Sequence, residues 1–143
     1  MNNLESYAKD DVKDRIRYLS PAALIILCDL VMYCEQKQYH LVISDAVTDV
    51  HEDMALNRIS STHREGRAFD ISAKDLTREM QLEIKRVFAS KYKHLAAVDG
   101  IGDANLIVIH DAGTGEHLHF QVHKRYALPL RTFNKFDDLN KLG

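Results

Sequence analysis

At 143 residues the chain has the length of one ordinary domain and can bury a real core without disulfide or metal staples. Its hydrophobic fraction of 45% and charged fraction of 28% are those of a globular protein, and a net charge of -2 lacks the clustered basic excess of a nucleic-acid binder. No apolar run reaches the roughly 18 residues of a membrane-spanning helix.

The opening stretch, MNNLESYAKDDVKDR, is acidic and polar, the reverse of a secretory signal. The expectation is a protein made in the cytoplasm that stays there or leaves by another route. Val12, Ile16 and Leu19 fall at helical spacing in this lead-in. Ser20-Pro21 then supplies an N-cap and an N1 proline, which predicts a helix running to about Gln38. That helix is apolar round most of its circumference and belongs near the core. Cys28 and Cys34 lie on it, too far apart along the axis (about 9 Å of rise) for a disulfide. Both are expected to be buried thiols.

HLVISDAV, from His40, reads as a β-branched strand, and DVHEDMALNRI as a weak helix or loop. RAFDIS reads as a short strand. Leu76, Met80, Ile84, Val87 and Phe88 predict an amphipathic helix from Asp75 to about Tyr92. Three strands are expected next, HLAAVD from His94, NLIVIH from Asn105 and HLHFQVH from His117, separated by the turn-rich DGIGD and DAGTGE. The last twenty residues, with Pro129, read as a tail over the body. Helices first and consecutive strands after predict one α+β domain over residues 1–143, a small antiparallel sheet with helices packed on it.

The chemistry begins in SSTHREGRAFDIS. Asp70 alternates with Phe69 and Ile71, so it shares a strand face with Ala68. A half-buried carboxylate there needs a metal, an arginine or backbone N–H groups to offset its desolvation. His63 alone reads better as an exposed loop residue than as a ligand. Gly66 between them permits positive φ, a bend that lets His63 and Asp70 converge. Farther on, strand alternation in GEHLHFQVHK puts His117, His119, Gln121 and His123 on one face and Leu118, Phe120 and Val122 on the other. A polar, histidine-rich face over an apolar one is what a sheet lining a site would show, and equally a sheet with one solvated side. Glu116 sits three residues before His119, placed to act as a general base beside a metal without ligating it. His123 reads as a surface residue, and His40, His51 and His94 as having no site role.

The pair S-x-H-x-x-G-x-A-x-D (Ser61 to Asp70) and E-x-x-H (Glu116 to His119) resembles the zinc D-Ala-D-Ala carboxypeptidases and L-Ala-D-Glu endopeptidases of peptidoglycan, which share the hedgehog-like metallopeptidase fold. The resemblance spans roughly Val42 to Val122. It implies that His63, Asp70 and His119 hold Zn2+, that Glu116 is the catalytic base, and that Ser61 contacts substrate. It further implies a peptidoglycan stem or cross-link peptide as substrate, as in bacteriophage endolysins that act on the cell wall after release or from a virion. One departure stands out: the family often carries an arginine after its first core strand, where this chain has Ser44-Asp45-Ala46-Val47-Thr48. Arg58 or Arg64 is the available substitute. Two other readings compete. One is a non-catalytic zinc-containing binding module of the same fold. The other is an HD-type metal phosphohydrolase built on His110-Asp111, a motif that belongs on a helix.

Overall fold

The computed structural model describes residues 3–111, 113 and 115–129. The expected C-terminal tail therefore lies outside the described residues from 130 onward. Before that point, Lys124–Tyr126 form a 3-10 turn.

Among the described residues, three α-helices and four strands make an α+β architecture: α1 (Pro21–Lys37), β1 (Ile43–Asp45), α2 (Val50–Ala55), β2 (Ala68–Ser72), α3 (Arg78–Lys91), β3 (Ile107–Asp111) and β4 (Glu116–Gln121). The sheet is antiparallel throughout, in the order β1-β2-β4-β3. Its apolar face carries Phe69, Ile71, Leu118 and Phe120, all buried. Phe69 and Phe120 stack across β2 and β4 at 4.7 Å, and Phe88 of α3 meets Phe120 edge-on at 6.4 Å. Tyr33 of α1 in turn meets Phe88 at 5.4 Å. Helices α1 and α3 thus close one core over one face of the sheet, which leaves the opposite face for polar groups.

The two long helices begin where their caps dictate. Ser20 accepts from the Ala23 amide with Pro21 in the first turn, and Gln38 ends α1 in the left-handed region. Thr77 caps α3 by accepting from Met80, so that helix starts at Arg78 rather than at Asp75. Leu76 is buried just ahead of it, and Gln81 Nε2 donates to its carbonyl at 3.0 Å. No helix among the described residues is long and apolar enough to cross a membrane.

Four further expectations change. The lead-in buries Val12, Ile16 and Leu19 but winds as two 3-10 turns, Leu4–Tyr7 and Lys13–Tyr18. The strand from His40 narrows to three residues, because the pairing shifts register between Ile43 and Asp45 and Asp45 Oδ1 accepts from the next amide. HLAAVD is not a ladder strand. A 3-10 turn occupies Lys93–Leu95, and only the single bridges Ala96–Val122 and Val98–Ala104 follow. Its apolar residues Ala96 and Ala97 are buried side by side rather than alternately, so the pleat that a ladder needs is missing. Finally, Cys28 is exposed while Cys34 is buried. Cys28 shares the outer stripe of α1 with exposed Ile25 and Met32.

Candidate metal centre

Asp70 and His119 are directly opposed in the β2–β4 ladder. Both side chains leave the face away from the aromatic core, and His119 Nδ1 lies 2.8 Å from Asp70 Oδ1. His63 reaches the same oxygen from a loop, its Nε2 3.3 Å away. Local sequence explains that approach. Thr62 to Gly66 form a tight turn, with Gly66 N donating to His63 O and Arg67 N to Thr62 O. Gly66 has φ +70, and a Cβ there would stand 3.0 Å from the Tyr18 carbonyl oxygen. Gly66 O accepts from Ser20 N, which anchors the bend to the start of α1.

The three side chains fit a metal ion. One donor atom from each lies within 4.8 Å of the others. His63 Nδ1 donates to the Ala46 carbonyl at 2.7 Å, an arrangement that orients the ring and turns Nε2 toward Asp70. Two imidazoles and one carboxylate are a donor set suited to zinc and leave a fourth position open.

Electrostatics place the same demand on the site. Burial pushes the Asp70 carboxyl up, yet the charge of His63 and hydrogen bonds from His119 and His63 override it and hold the group well below its ordinary value. Burial pushes His63 down, and the Asp70 charge more than restores it, so its value is raised. The two shifts have one cause, the mutual attraction of the Asp70 carboxylate and the His63 imidazole.

A second layer surrounds this centre. Arg58 Nη2 is 2.5 Å from Asp45 Oδ2 and 3.8 Å from Asp70 Oδ2, and its Nη1 is 3.5 Å from Asp53 Oδ1. Asp53 is itself buried, accepts from Thr48 Oγ1 at 2.6 Å, and lies 3.3 Å from Arg64 Nε. Arg58 therefore ties β1, α2 and β2 together at the edge of the centre, whereas Arg64 is turned to Asp53.

A cleft of about 600 Å³ opens beside Asp70, with Arg58, Glu116, His117 and Ser44 on its walls. Glu116 is exposed and begins β4 opposite Asp111, and it lines the cleft together with Asp70. Ser61 does not line this cleft, and its hydroxyl donates to Glu65, which also pairs with Arg67. His117 faces the cleft with Nε2 3.6 Å from Asp70 Oδ2. His123 Nδ1 accepts from Arg125 N in the 3-10 turn. His110 and Asp111 end β3, a strand and not a helix, and Asp111 Oδ1 accepts from the Gly113 and Gly115 amides.

Two contributors had no reading as such in the sequence. The Ala46 carbonyl that orients His63 is backbone, which no residue type announces. Asp53 sits in a segment that reads as a weak helix, and only its burial marks it out. Comparison adds no relative: no family model, curated protein or solved structure matches the chain.

Proposed function

We propose that this chain is a zinc-dependent peptidase with a hedgehog-like, D-Ala-D-Ala peptidase-like fold, acting on peptidoglycan stem or cross-link peptides in the manner of an endolysin. The observation that carries the reading is the convergence of His63, Asp70 and His119, from two distant sequence motifs, around one carboxylate oxygen beside a cleft walled by Glu116.

The roles follow from position. His63, Asp70 and His119 would hold Zn2+, which when bound supplies Lewis-acid polarisation of a scissile carbonyl and lowers the pKa of a bound water to about 7. Glu116 accepts the proton of the attacking water on its carboxylate and returns it to the leaving amine nitrogen. Arg58, held by Asp45 at the cleft wall, offers its guanidinium to the carbonyl oxygen as negative charge develops there. In this reading the arginine comes from the loop after α2 and not from Ser44–Thr48. Ser61 would contact the peptide only by leaving its hydrogen bond to Glu65.

Metal analysis followed by mass spectrometry of peptidoglycan fragments tests the reading. Zinc binding with release of peptide fragments, abolished in Glu116→Ala while zinc is kept, is the expected result. The absence of an arginine from Ser44–Thr48 favours one other reading, a zinc-containing module that binds without cleaving. Bound zinc with no fragment released would favour that module, and a fully active Glu116→Ala would remove Glu116 from the mechanism.

A further inference from the structure

Helix α2 ends in a Schellman motif. Asn57 takes the left-handed conformation at φ 53, and its amide donates to the Met54 carbonyl at 3.1 Å. The Arg58 amide donates back to the Asp53 carbonyl at 2.8 Å, the longer bond of the motif. The two residues so joined often share an apolar contact. Here they are Asp53 and Arg58, and their side chains meet as an ion pair instead, Oδ1 to Nη1 at 3.5 Å. The apolar residues flanking the turn give it little anchorage, since Leu56 is 48% and Ile59 99% exposed.

Asp53 itself is 2% exposed and lines no part of the cleft. Burying a carboxylate this deeply is costly unless cations and hydrogen bonds surround it. Thr48 Oγ1 donates to its Oδ1 at 2.6 Å, and Arg64 Nε stands 3.3 Å from its Oδ2. The acid is thus fixed from behind, with Oδ1 left facing Arg58.

We infer that Asp53 is the positioning residue for Arg58, setting the plane of its guanidinium at the cleft wall. The inference rests on the peptidase reading above, in which Arg58 meets the charge that develops on the carbonyl oxygen. Asp45 Oδ2 holds Nη2 at 2.5 Å, and Asp53 holds the other terminal nitrogen, Nη1. Two carboxylates on two nitrogens fix the planar fork, whereas Asp45 alone would let it turn about a single contact. A donor already aimed needs no reorganisation as charge builds. Asp53 does this without touching substrate, through the backbone bond of the motif and through its charge.

Steady-state cleavage of soluble muropeptides by the zinc-loaded full chain tests this, with zinc affinity and a urea melt measured on each variant. Asp53→Asn should lower kcat about tenfold or more at a KM within about twofold of wild type, with zinc affinity unchanged. In an Arg58→Lys background the same change should cost less than about threefold, because the fork that Asp53 holds is gone. A purely structural loss would carry over in full. If Asp53→Asn does not fold, Thr48→Val releases Asp53 Oδ1 while keeping the side-chain shape. It should lower kcat about threefold in the wild-type background and leave it unchanged in Arg58→Lys. An equal loss of kcat in both backgrounds, from whichever variant folds, overturns the positioning role, and so does Asp53→Asn with wild-type kcat. Both results leave the peptidase reading standing. A wild type that cleaves no muropeptide overturns that reading and the role of Asp53 with it.

Discussion

Asp70 of β2 and His119 of β4 are partners in a ladder, and their side chains meet at 2.8 Å on the sheet face opposite the Phe69–Phe120 stack. Sheet register, not loop chance, sets the separation of two of the three candidate ligands. A one-residue slip of β4 would send His119 into the apolar core and Phe120 to the cleft. The same pairing that builds the core therefore builds the centre, and His63 is the one donor that depends on a loop.

Removing a donor should cost metal before it costs fold. His119→Ala removes a half-buried side chain that makes one side-chain bond, so we expect zinc affinity to fall at least about a hundredfold with a loss of roughly 1 kcal/mol in the metal-free protein. Calorimetric zinc titration and urea melts of the same sample check both halves.

Gly66→Ala should be far more damaging than its size suggests. The residue holds φ +70, and the added Cβ would meet the Tyr18 carbonyl at 3.0 Å, a backbone atom that cannot swing away. A loss of about 2 kcal/mol is expected in a urea melt, with weaker zinc binding because the bend carries His63. Gly100→Ala, where nothing lies within 4 Å, is the matched control and should be near neutral.

The metal-free protein should show a stability maximum in mildly acidic solution. The Asp70 value is depressed below 3.8, so its contribution is present above that unfolded value and is lost as pH falls through the folded one. The His63 value is raised above 6.5, so its contribution is complete below 6.5 and is lost as pH rises through the folded value. Melting temperature without metal should therefore fall on both sides of this window. With zinc present the alkaline limb should reverse, because protons stop competing for the imidazoles and metal binding strengthens. Thermal melts across pH in chelator and in zinc separate the two curves.

Arg58→Met should destabilise the protein by about 3 kcal/mol, since it strips the cation from three carboxylates, Asp45, Asp53 and Asp70. Arg58→Lys keeps the charge and loses the planar fork, so it should recover part of the stability and less of the turnover. Arg64→Lys, away from the cleft, should leave turnover within a few fold. Urea melts and peptide-release rates on the three variants give the comparison.

Much of the architecture was legible because its signals are local. Ser20-Pro21 marks the start of α1, and alternation marks β2 and β4, including which histidines share a face. The motif residues His63, Asp70 and His119 were readable by spacing around Gly66 and by resemblance. Thr77, four residues before Gln81, was the start signal for α3 that a hydrophobic period alone overran. HLAAVD failed for a related reason: six apolar-rich residues carry strand character, but a ladder needs a neighbour in register, and only Val122 and Ala104 offer a bridge.

What the sequence determined by itself was the periodicity of each element, its capping and the kinds of donor available, because these depend on neighbours a few residues away. The tertiary structure alone decided that Cys28 faces out while Cys34 faces in, that the Ala46 carbonyl orients His63, and that Arg58 rather than Arg64 stands at the cleft. Each is a contact between segments far apart in the chain, fixed by packing two helices and a loop onto one sheet. No residue's type or spacing encodes such a contact until the sheet has brought its partner alongside.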